Sequence, residues 1–525
     1  MKWNYGDLLD GCGEVLPPAT PALIHGERVV TWSELTVRSN NLARAMLSGG
    51  AVTGDKVAIY MRNCPEYMET LVACFKARLV PINVNYRYRD DELHYILDNS
   101  DAVVTVYSGE FLEHVSVLGP RFPDMQWIEV GKNYEQLVTS GDGKPLGVER
   151  SGDDMLFIYT GGTTGMPKAV MWRSEDVWHA MQSGKNAPCN RGDSPATPEQ
   201  HIENLAIFDG EFNQLTACPL MHGTGLLTAI SALSGGGSIV TLTNPTLNVE
   251  ELWDTVTRRK VNAMVIVGDV FARPMLKALE QNPGRWNLSS LQLMVSSGVM
   301  WSPAVKEGLL KQHGGMLLAD LFGSSEAIGF GTALSGAGHS SRSARFTIGD
   351  RCKVFTEDFR EVTPGSDERG FIARPGPIPV GYYKDEEKTA KTFPTINGVR
   401  YSIPGDWCTV EPDGTLTLLG RGSACINSGG EKIYPEEVEE ALKAHPDVED
   451  ALVFGVDDEK WGQAVTAVVV PSVGSSLDSE LLRQHVHTLL ADYKAPKMVY
   501  GVSNMFRAPN GKADYKAARA YVEGL

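Results

Sequence analysis

The chain contains the stretch Tyr159-Thr160-Gly161-Gly162-Thr163-Thr164-Gly165-Met166-Pro167-Lys168, which continues a short apolar run that reads as a buried strand. Glycines let backbone N–H groups approach and wrap an anion, the threonine hydroxyls add donors, and Lys168 adds a positive charge. A Gly/Thr linker is the alternative, but the preceding strand and the Pro-Lys ending argue against it. Pro167 stands where a Walker A loop has glycine. The stretch therefore predicts a phosphate-binding loop of another kind.

Short apolar runs alternate with helix-length amphipathic stretches from about residue 28 to 300. Near-continuous runs rich in β-branched residues indicate parallel strands that helices cover on both faces. The predicted class is therefore α/β. The strand candidates are residues 57–60, 102–106, 155–159, 238–242 and 263–267. Residues 65–78, which follow the first of these candidates, have the pattern of a helix.

The sequence pattern changes after about residue 345, where Gly and Pro interrupt shorter strands and predict a small β-rich subdomain up to about residue 420. The last hundred residues predict the order helix, strand, strand, helix, strand, preceded by an entering strand near residues 416–418. This order is typical of a small two-layer α+β domain. The supporting segments are a helix from Pro435, strands at 451–454 and 464–470, a helix with Leu482, Val486 and Leu489 on one face, and a strand at 499–502.

Composition excludes several classes of protein. The 48 Lys+Arg and 65 Asp+Glu give a net charge of −17, which argues against a chain whose whole surface binds nucleic acid. The length of 525 residues suggests three or four domain-sized units. The first residues lack the apolar region of a secretory signal, and the apolar run 224–242 is interrupted by three glycines, so we expect no membrane span. The 8 cysteines form no C-x-x-C pair, which favours a reducing cytoplasm.

Together with later motifs, the glycine-rich loop resembles the signature of the adenylate-forming superfamily, which includes acyl-CoA synthetases, adenylation domains of peptide synthetases and beetle luciferases. The usual signature, Tyr-Thr-Ser-Gly-Thr-Thr-Gly-x-Pro-Lys-Gly, differs here at Gly161 and Ala169. The resemblance covers nearly the whole chain in the expected order. It implies that the loop binds ATP and that Thr163 is also catalytic. The ATP-binding residues of the loop would be Thr160, Gly161, Gly162, Thr163, Thr164, Gly165 and Lys168.

The segment Pro219–Gly225 resembles the next motif of the superfamily, whose histidine, here His222, lines the acyl pocket. A core histidine with satisfied hydrogen bonds is the alternative. Residues 296–299 stand where the family commonly has Gly-Gly-Ala-Pro, and only Gly298 matches it. The resemblance implies that Gly298 lies at the adenine.

Residues 320–326 resemble the Tyr-Gly-x-Thr-Glu motif, with Ser325 in place of Thr. The resemblance implies that Asp320, Gly323 and Ser325 contact the nucleotide, that Phe322 stacks on adenine, and that Glu326 is catalytic and holds Mg²⁺, a cation that prefers carboxylate and phosphate oxygens. A solvated loop carboxylate is the alternative for Glu326. Gly323 stands where acetate-activating relatives have Trp, so the acyl pocket is expected to be open.

The remaining motifs lie near the C-terminus. The resemblance implies that Asp406 binds the ribose hydroxyls, although an Asp in a β-turn is the alternative, and that Arg421 lies near the ribose and phosphate. Ser423 takes the hinge position, where the family usually has Asp or Lys. Lys512 would be the catalytic lysine that contacts the carboxylate and the α-phosphate; a merely solvated lysine is the alternative. The edge of the coenzyme A tunnel, or an ordinary turn, would comprise Ser428, Gly429, Gly430 and Lys432.

The implied organisation is an N-terminal adenylation (AMP-binding) domain, residues 1–420, with the β-rich subdomain at about 345–420, and a mobile C-terminal domain, residues 421–525. The implied enzyme is an AMP-forming acyl-CoA synthetase. It activates a carboxylic acid as the acyl-adenylate, with release of pyrophosphate, and then forms the coenzyme A thioester with release of AMP. Met171-Trp172-Arg173 after the loop resembles bacterial synthetases for fatty acids and steroid side chains, so a hydrophobic acid is expected.

Three alternatives remain at this point: a ligase that loads another acceptor such as a carrier protein, a kinase, and a non-catalytic nucleotide-binding protein. The expected partners are the small acid, ATP and coenzyme A, with Mg²⁺ as the metal and no nucleic acid. The sequence leaves open whether the protein is a homodimer or has another oligomeric state.

Overall fold

Strands and helices alternate through the first 330 residues, as the β-branched runs predict, in a computed structural model of the chain. The structure describes residues 1–88, 90–160, 167–299, 301–336, 345–421, 426–428, 431–458, 462–490, 492–508 and 511–525. The strands are β1 (Pro21–His25), β2 (Arg28–Thr31), β3 (Lys56–Tyr60), β4 (Val80–Asn83), β5 (Ala102–Ser108), β6 (Gln126–Val130), β7 (Met155–Thr160), β8 (Lys168–Arg173), β9 (Asn213–Thr216), β10 (Ser238–Thr241), β11 (Ala263–Ile266), β12 (Leu293–Ser297), β13 (Leu317–Ser324), β14 (Ala327–Ser335), β15 (Arg345–Ile348), β16 (Lys353–Phe355), β17 (Arg369–Pro375), β18 (Gly381–Tyr382), β19 (Thr395–Ile396), β20 (Val399–Ser402), β21 (Asp406–Val410), β22 (Leu416–Arg421), β23 (Ile426–Ser428), β24 (Glu431–Ile433), β25 (Val448–Asp458), β26 (Gly462–Pro471) and β27 (Met498–Gly501).

The α-helices are mostly amphipathic and cover the sheets. They are α1 (Tyr5–Val15), α2 (Trp32–Ser48), α3 (Pro65–Ala77), α4 (Asp90–Ser100), α5 (Leu112–Leu118), α6 (Asn133–Thr139), α7 (Ser174–Ala180), α8 (Ser183–Asn186), α9 (Pro198–Ala206), α10 (Gly223–Ser234), α11 (Val249–Arg259), α12 (Gly268–Gln281), α13 (Pro303–Gln312), α14 (Glu386–Thr392), α15 (Pro435–Lys443), α16 (Ser479–Leu489) and α17 (Tyr515–Glu523). Among the helices in the described ranges, none is both long and apolar enough to cross a membrane.

The chain divides into two units, and the first comprises Met1–Gly329, Leu334–Ser340 and Pro375–Ser402. One of its sheets has the order β18-β8-β7-β4-β3-β5-β6, in which β7, β4, β3, β5 and β6 run parallel. A second set of strands has the order β13-β12-β11-β9-β10-β1-β2 and is parallel except for β2. All residues of β10 and β11 are buried, as expected for strands covered on both faces. The predicted α/β class is confirmed.

The second unit comprises Phe330–Ala333, Ser341–Arg374 and Ile403–Leu525. This unit contains the short antiparallel strands that the sequence predicted for the β-rich subdomain. They are β15, β16, β17, β21 and β22. The β-rich residues are shared by both units, because 375–402 belong to the first. The proposed boundary at residue 421 stays a prediction, and Ser423 lies outside the described residues.

The predicted order of the C-terminal elements is confirmed as α15, β25, β26, α16 and β27. Its sheet has the order β24-β23-β26-β25, with β27 parallel to β26. The predicted strand at residues 416–418 is confirmed as part of β22. This strand pairs with β21 and β15, and the short hairpin of β23 and β24 forms the edge of the C-terminal sheet instead. The pairing partner of a short strand is set by long-range packing, which its own residues do not specify.

Candidate active site

The predicted phosphate-binding loop connects two neighbouring strands of the first unit. Thr160 at the end of β7 pairs with Lys168 at the start of β8, so the two ends of the loop are adjacent in an antiparallel hairpin. Five predicted loop residues, including Thr163, which was predicted to be catalytic, lie outside the described residues: Gly161, Gly162, Thr163, Thr164 and Gly165. The structure thus describes the base of the loop, where Thr160 at the end of β7 lies beside Lys168 at the start of β8.

A buried asparagine at the end of β4 connects this base to the histidine motif. The Asn83 amide donates to the carbonyl oxygens of Tyr159, at 3.1 Å, and Met221, at 2.6 Å. Its own oxygen accepts the Tyr159 N–H at 2.7 Å. Asn83 was missed in the sequence, where an asparagine ending a strand carries no distinctive signal. Its three hydrogen bonds fix the start of the loop relative to the residue before His222.

The turn before His222 is held from a second direction. The Leu220 N–H donates to Asn63 Oδ1 at 2.7 Å, and the Tyr67 hydroxyl donates to the Leu220 carbonyl oxygen at 3.2 Å. His222 itself is the residue before the first turn of α10 and is partly exposed. The structure therefore places the predicted pocket histidine on a rigid turn at a helix start. Its contact with an acyl group stays a prediction.

Residues from three predicted motifs come together near the start of α10. A Cβ placed on Gly223 would lie 3.6 Å from the Ser325 hydroxyl oxygen. A Cβ placed on Gly298 would lie 3.9 Å from the Thr224 hydroxyl oxygen, and the φ of +91° at Gly298 is one that glycine tolerates best. The His222, Gly298 and Ser325 motifs are thus neighbours in the fold although together they span about 100 residues of the chain.

Glu326 lies at the turn between β13 and β14 and is held on several sides. Its side chain is 8% exposed, and Oε1 accepts the Tyr382 hydroxyl at 2.8 Å. The Ser402 hydroxyl donates to the Glu326 carbonyl oxygen at 2.6 Å. The Trp172 indole N–H donates to the carbonyl oxygen of Ser325 at 2.8 Å. A buried, hydrogen-bonded carboxylate differs from the solvated loop glutamate that was the alternative for this residue.

Asp320 and Phe322 of the Glu326 motif are also buried. Asp320 Oδ2 accepts the Lys306 ammonium at 3.1 Å, and both side chains are almost inaccessible to solvent. The Asp320 carboxylate therefore has a structural partner, and its contact with a nucleotide stays a prediction. Phe322, predicted to stack on adenine, is 7% exposed. A Cβ on Gly323 would lie 3.0 Å from the Ala327 carbonyl oxygen, so the close approach of β13 and β14 favours glycine there.

Lys168 forms an ion pair with Asp385, the residue that caps α14. The same carboxylate accepts the Lys388 N–H at 2.9 Å through Oδ1. The hydrogen bond from Lys168 lowers the pKa of Asp385 below its ordinary value, so the carboxylate stays charged at neutral pH. Neither Tyr382 nor Asp385 was predicted as a site residue, because their roles come from contacts with distant parts of the chain.

The second unit carries the predicted ribose and tunnel residues. Asp406, which is 7% exposed, and Arg421 are paired across β21 and β22. Ser428 ends β23 and pairs with Glu431, and Lys432 lies in β24. Gly429 and Gly430, which were predicted to border the tunnel, lie outside the described residues. The described strands β23 and β24 are paired with each other.

Lys512 lies in a narrow loop of the second unit. Arg507 and Ala513 form a bridge across it, and the Ala508 N–H donates to the Lys512 carbonyl oxygen at 2.7 Å. Arg507 is paired with both carboxylate oxygens of Asp450, at 2.6 and 2.8 Å. The Lys512 side chain is exposed. A partly buried ion pair therefore holds the base of the loop, and Lys512 is exposed.

Comparison with known proteins identifies the family. Residues 15–379 match the family described as AMP-binding enzyme, and residues 437–512 match the AMP-binding enzyme C-terminal domain. The chain belongs to the AMP-binding enzyme family. This membership confirms the resemblance to the adenylate-forming superfamily.

Relatives of this AMP-binding enzyme are similar over almost their whole length. The medium/long-chain-fatty-acid–CoA/3-oxocholest-4-en-26-oate–CoA ligase of Mycobacterium marinum is 41% identical over 99% of this chain and 96% of its own. The 3-oxocholest-4-en-26-oate–CoA ligase of Rhodococcus rhodochrous is 40% identical, with 99% of this chain and 96% of its own covered.

Solved structures show the same fold. ATP-bound MatB from Rhodopseudomonas palustris superposes with a TM-score of 0.83 at 21% identity, covering 99% of both chains. The Mycobacterium tuberculosis fatty acyl CoA synthetase superposes with a TM-score of 0.71 at 22% identity, again covering 99% of both chains.

Proposed function

We propose that this AMP-binding enzyme is an ATP-dependent acyl-CoA synthetase that activates a medium- or long-chain fatty acid or the side-chain carboxylate of a steroid. The observation that carries the proposal is the 41% identity, over 99% of the chain, to a ligase named for these acids. The reaction has two steps. The carboxylate attacks the α-phosphate of ATP and pyrophosphate leaves. The thiol of coenzyme A then attacks the acyl-adenylate and AMP leaves.

The first step has an electrostatic difficulty, because the carboxylate and the triphosphate are both anions. Cationic groups that touch the phosphates stabilise the charge that develops in the transition state. We assign this role to Lys168, at the end of the loop, and to the exposed Lys512. The threonine hydroxyls and backbone N–H groups of residues 160–165 would hold the phosphates, with Thr163 as the catalytic threonine. His222 would line the acyl pocket, and Gly298, Phe322 and Ser325 the adenine site.

Glu326 is the proposed ligand of Mg²⁺, and its surroundings fit that role. Magnesium is usually bound by one or two carboxylates together with substrate phosphates. Glu326 supplies such a carboxylate, largely shielded from solvent. Within the described residues, no group of three or more His, Cys, Asp or Glu forms a metal site made of protein alone. When bound, the ion would neutralise phosphate charge.

The second step requires other residues. We assign the ribose to Asp406 and Arg421 and the edge of the coenzyme A tunnel to Ser428, Gly429, Gly430 and Lys432. The superfamily resemblance implies that the C-terminal domain rotates between the two steps, with Ser423 at the hinge. We place the enzyme in the cytoplasm, because the seven described cysteines are all free thiols, which persist in a reducing compartment.

The first test measures both products with a panel of acids. ATP–pyrophosphate exchange that depends on the acid, followed by formation of the free coenzyme A thioester and AMP, is the expected result. Fatty acids of increasing length, a steroid side-chain acid and acetate define the acid. Release of ADP would indicate a kinase. Exchange without thioester formation, but with transfer to a carrier protein, would support the alternative acceptor.

The second test replaces the proposed catalytic lysine. Lys512→Ala removes a cation from the α-phosphate and should lower acid-dependent exchange roughly 10²- to 10³-fold, as loss of one such donor does. ATP should still bind. Lys516→Ala is the matched control, because Lys516 is also exposed and lies four residues further along in α17. Equal activity of the two variants would remove Lys512 from the mechanism.

A further inference from the structure

One short segment of the first unit contacts both charged groups that the proposed chemistry uses. Tyr382, in β18, donates its hydroxyl to Glu326 Oε1 at 2.8 Å. Asp385, three residues later, pairs with Lys168. Glu326 and Lys168 are about 160 residues apart in the chain and belong to different motifs. Neither Tyr382 nor Asp385 belongs to either motif, yet each holds one of the two groups.

Tyr382 is itself held rigidly. It is 4% exposed, and its strand pairs with β8, where Tyr382 lies opposite Val170. Its N–H donates to the Thr389 hydroxyl at 2.8 Å. The Lys388 ammonium lies 4.3 Å from the centre of its ring, a cation–π contact. A hydroxyl fixed in this way has little freedom to follow a moving carboxylate, so it determines where the carboxylate lies.

The same segment fixes Asp385. Thr389 donates its hydroxyl to the Asp385 carbonyl oxygen at 2.7 Å, and the Asp385 side chain caps α14. One carboxylate thus serves two purposes, since Oδ1 satisfies a helix N–H and Oδ2 pairs with Lys168. Thr389 therefore links the backbone positions of both residues, because it also accepts the Tyr382 N–H.

We infer that Tyr382 and Asp385 are positioning residues: Tyr382 orients the Glu326 carboxylate toward a divalent cation, and Asp385 orients the Lys168 ammonium toward the ATP phosphates. The inference rests on the proposed function, which assigns Glu326 and Lys168 to MgATP. The physical reason is preorganisation, since groups already fixed in the productive geometry lose no freedom when the ligand binds. Neither positioning residue is required to touch the nucleotide.

The first experiment compares two substitutions of the same kind at adjacent residues. Tyr382→Phe removes the hydroxyl on Glu326 and keeps the buried ring. Tyr383→Phe is the control, because the Tyr383 hydroxyl donates to the Asp101 carboxylate, at 2.7 Å, and not to Glu326. The probe is Mn²⁺, whose binding in the presence of α,β-methylene-ATP is measured by electron paramagnetic resonance. This readout requires no turnover.

Hydrogen bonds to charged groups are among the stronger ones in proteins, so Tyr382→Phe should weaken Mn²⁺ binding roughly tenfold, with Tyr383→Phe within about twofold of the wild type. Equal Mn²⁺ affinity of Tyr382→Phe and the wild type would overturn the inference. Melting temperatures of both variants separate a local change from loss of folding. If the wild type forms no thioester with any acid, the proposed function fails, while the Mn²⁺ measurement still decides the inference.

A double substitution tests whether Tyr382 acts through Glu326. In the background of Glu326→Gln, the change Tyr382→Phe should have little further effect on Mn²⁺ affinity, because the oriented group is already lost. Additive effects of the two changes would show that Tyr382 acts by another route. A purely structural tyrosine would also lower the melting temperature equally in both backgrounds, without this non-additivity in metal binding.

Asp385→Asn tests the second half of the inference. Asparagine can still accept the Lys388 N–H and cap the helix, but it no longer pairs with the Lys168 charge. The KM for ATP should rise several-fold, with the KM for coenzyme A unchanged. Asp101→Asn is the control, since Asp101 pairs with Lys384 at the surface. An unchanged or lower KM for ATP would overturn the assignment of Asp385.

Discussion

Replacing Asn83 by Ala should loosen the base of the phosphate-binding loop and the turn before His222 together. Asn83 is 6% exposed, so water cannot readily replace its hydrogen bonds. The substitution leaves the Tyr159 N–H and two carbonyl oxygens without their present partner. The methyl side chain that remains can neither donate nor accept. The two segments would then be free to move independently.

The size of the effect follows from the three hydrogen bonds. A net contribution of about 1 kcal/mol for each gives about 3 kcal/mol in total, and buried groups left unpaired can raise this figure. Since about 1.4 kcal/mol corresponds to a factor of ten, local opening should become roughly 10²-fold more frequent. The change should be confined to the elements that Asn83 connects, because the rest of β4 keeps its strand pairing.

Hydrogen–deuterium exchange followed by mass spectrometry measures this local opening directly. Peptides covering residues 155–160 and 217–222 should exchange faster in Asn83→Ala, and the rate of ATP–pyrophosphate exchange should fall. Asn85→Ala is the control, because Asn85 is partly exposed and its side-chain oxygen accepts the N–H of Arg87, two residues along the chain. Exchange rates in both peptides that match those of the wild type would refute the reasoning.

Two further substitutions test the packing of a glycine and a buried acid. Gly323→Ala should destabilise the protein by about 1–3 kcal/mol in urea denaturation, because its Cβ would lie 3.0 Å from the Ala327 carbonyl oxygen. Gly119→Ala, whose Cβ meets no described atom within 4 Å, should be close to neutral, and similar losses would contradict this explanation. Burial raises the pKa of Glu439 above its ordinary 4.5, so the folded carboxyl keeps a proton that the unfolded one has lost, and stability falls as pH rises through that window. Glu439→Gln cannot titrate and keeps an acceptor for the Tyr515 hydroxyl. Its urea midpoint should therefore increase relative to that of the wild type as the pH rises above 4.5. A difference independent of pH would argue against this account.

The strands of the first unit could be predicted because their burial on both faces appears in the sequence. Residues 57–60, 102–106 and 263–266 are mostly apolar runs, and each lies in a strand. Such runs need no partner to be recognised. The short strand at residues 416–418 was also recognised, but its partners were not, because pairing depends on how distant segments pack.

The candidate site divides in the same way. Its motifs are contiguous, so Lys168, His222 and Glu326 could be named from the sequence through the family resemblance. The residues that hold them could not. Asn83 bonds to Met221 across 138 positions, and Trp172 bonds to Ser325 across 153. These partners are ordinary residues whose role arises only when the chain is folded.

The glycine at residue 323 has a structural explanation as well as a functional one. The sequence suggested that glycine, in place of the Trp of acetate-activating relatives, leaves the acyl pocket open. The structure adds a reason in the hairpin itself, since a Cβ at this position would lie 3.0 Å from the Ala327 carbonyl oxygen of β14. This close approach favours glycine whether or not an acyl chain passes nearby. Glycine at residue 323 is therefore a poor measure of the size of the acid, and a panel of acids of graded length measures specificity more directly.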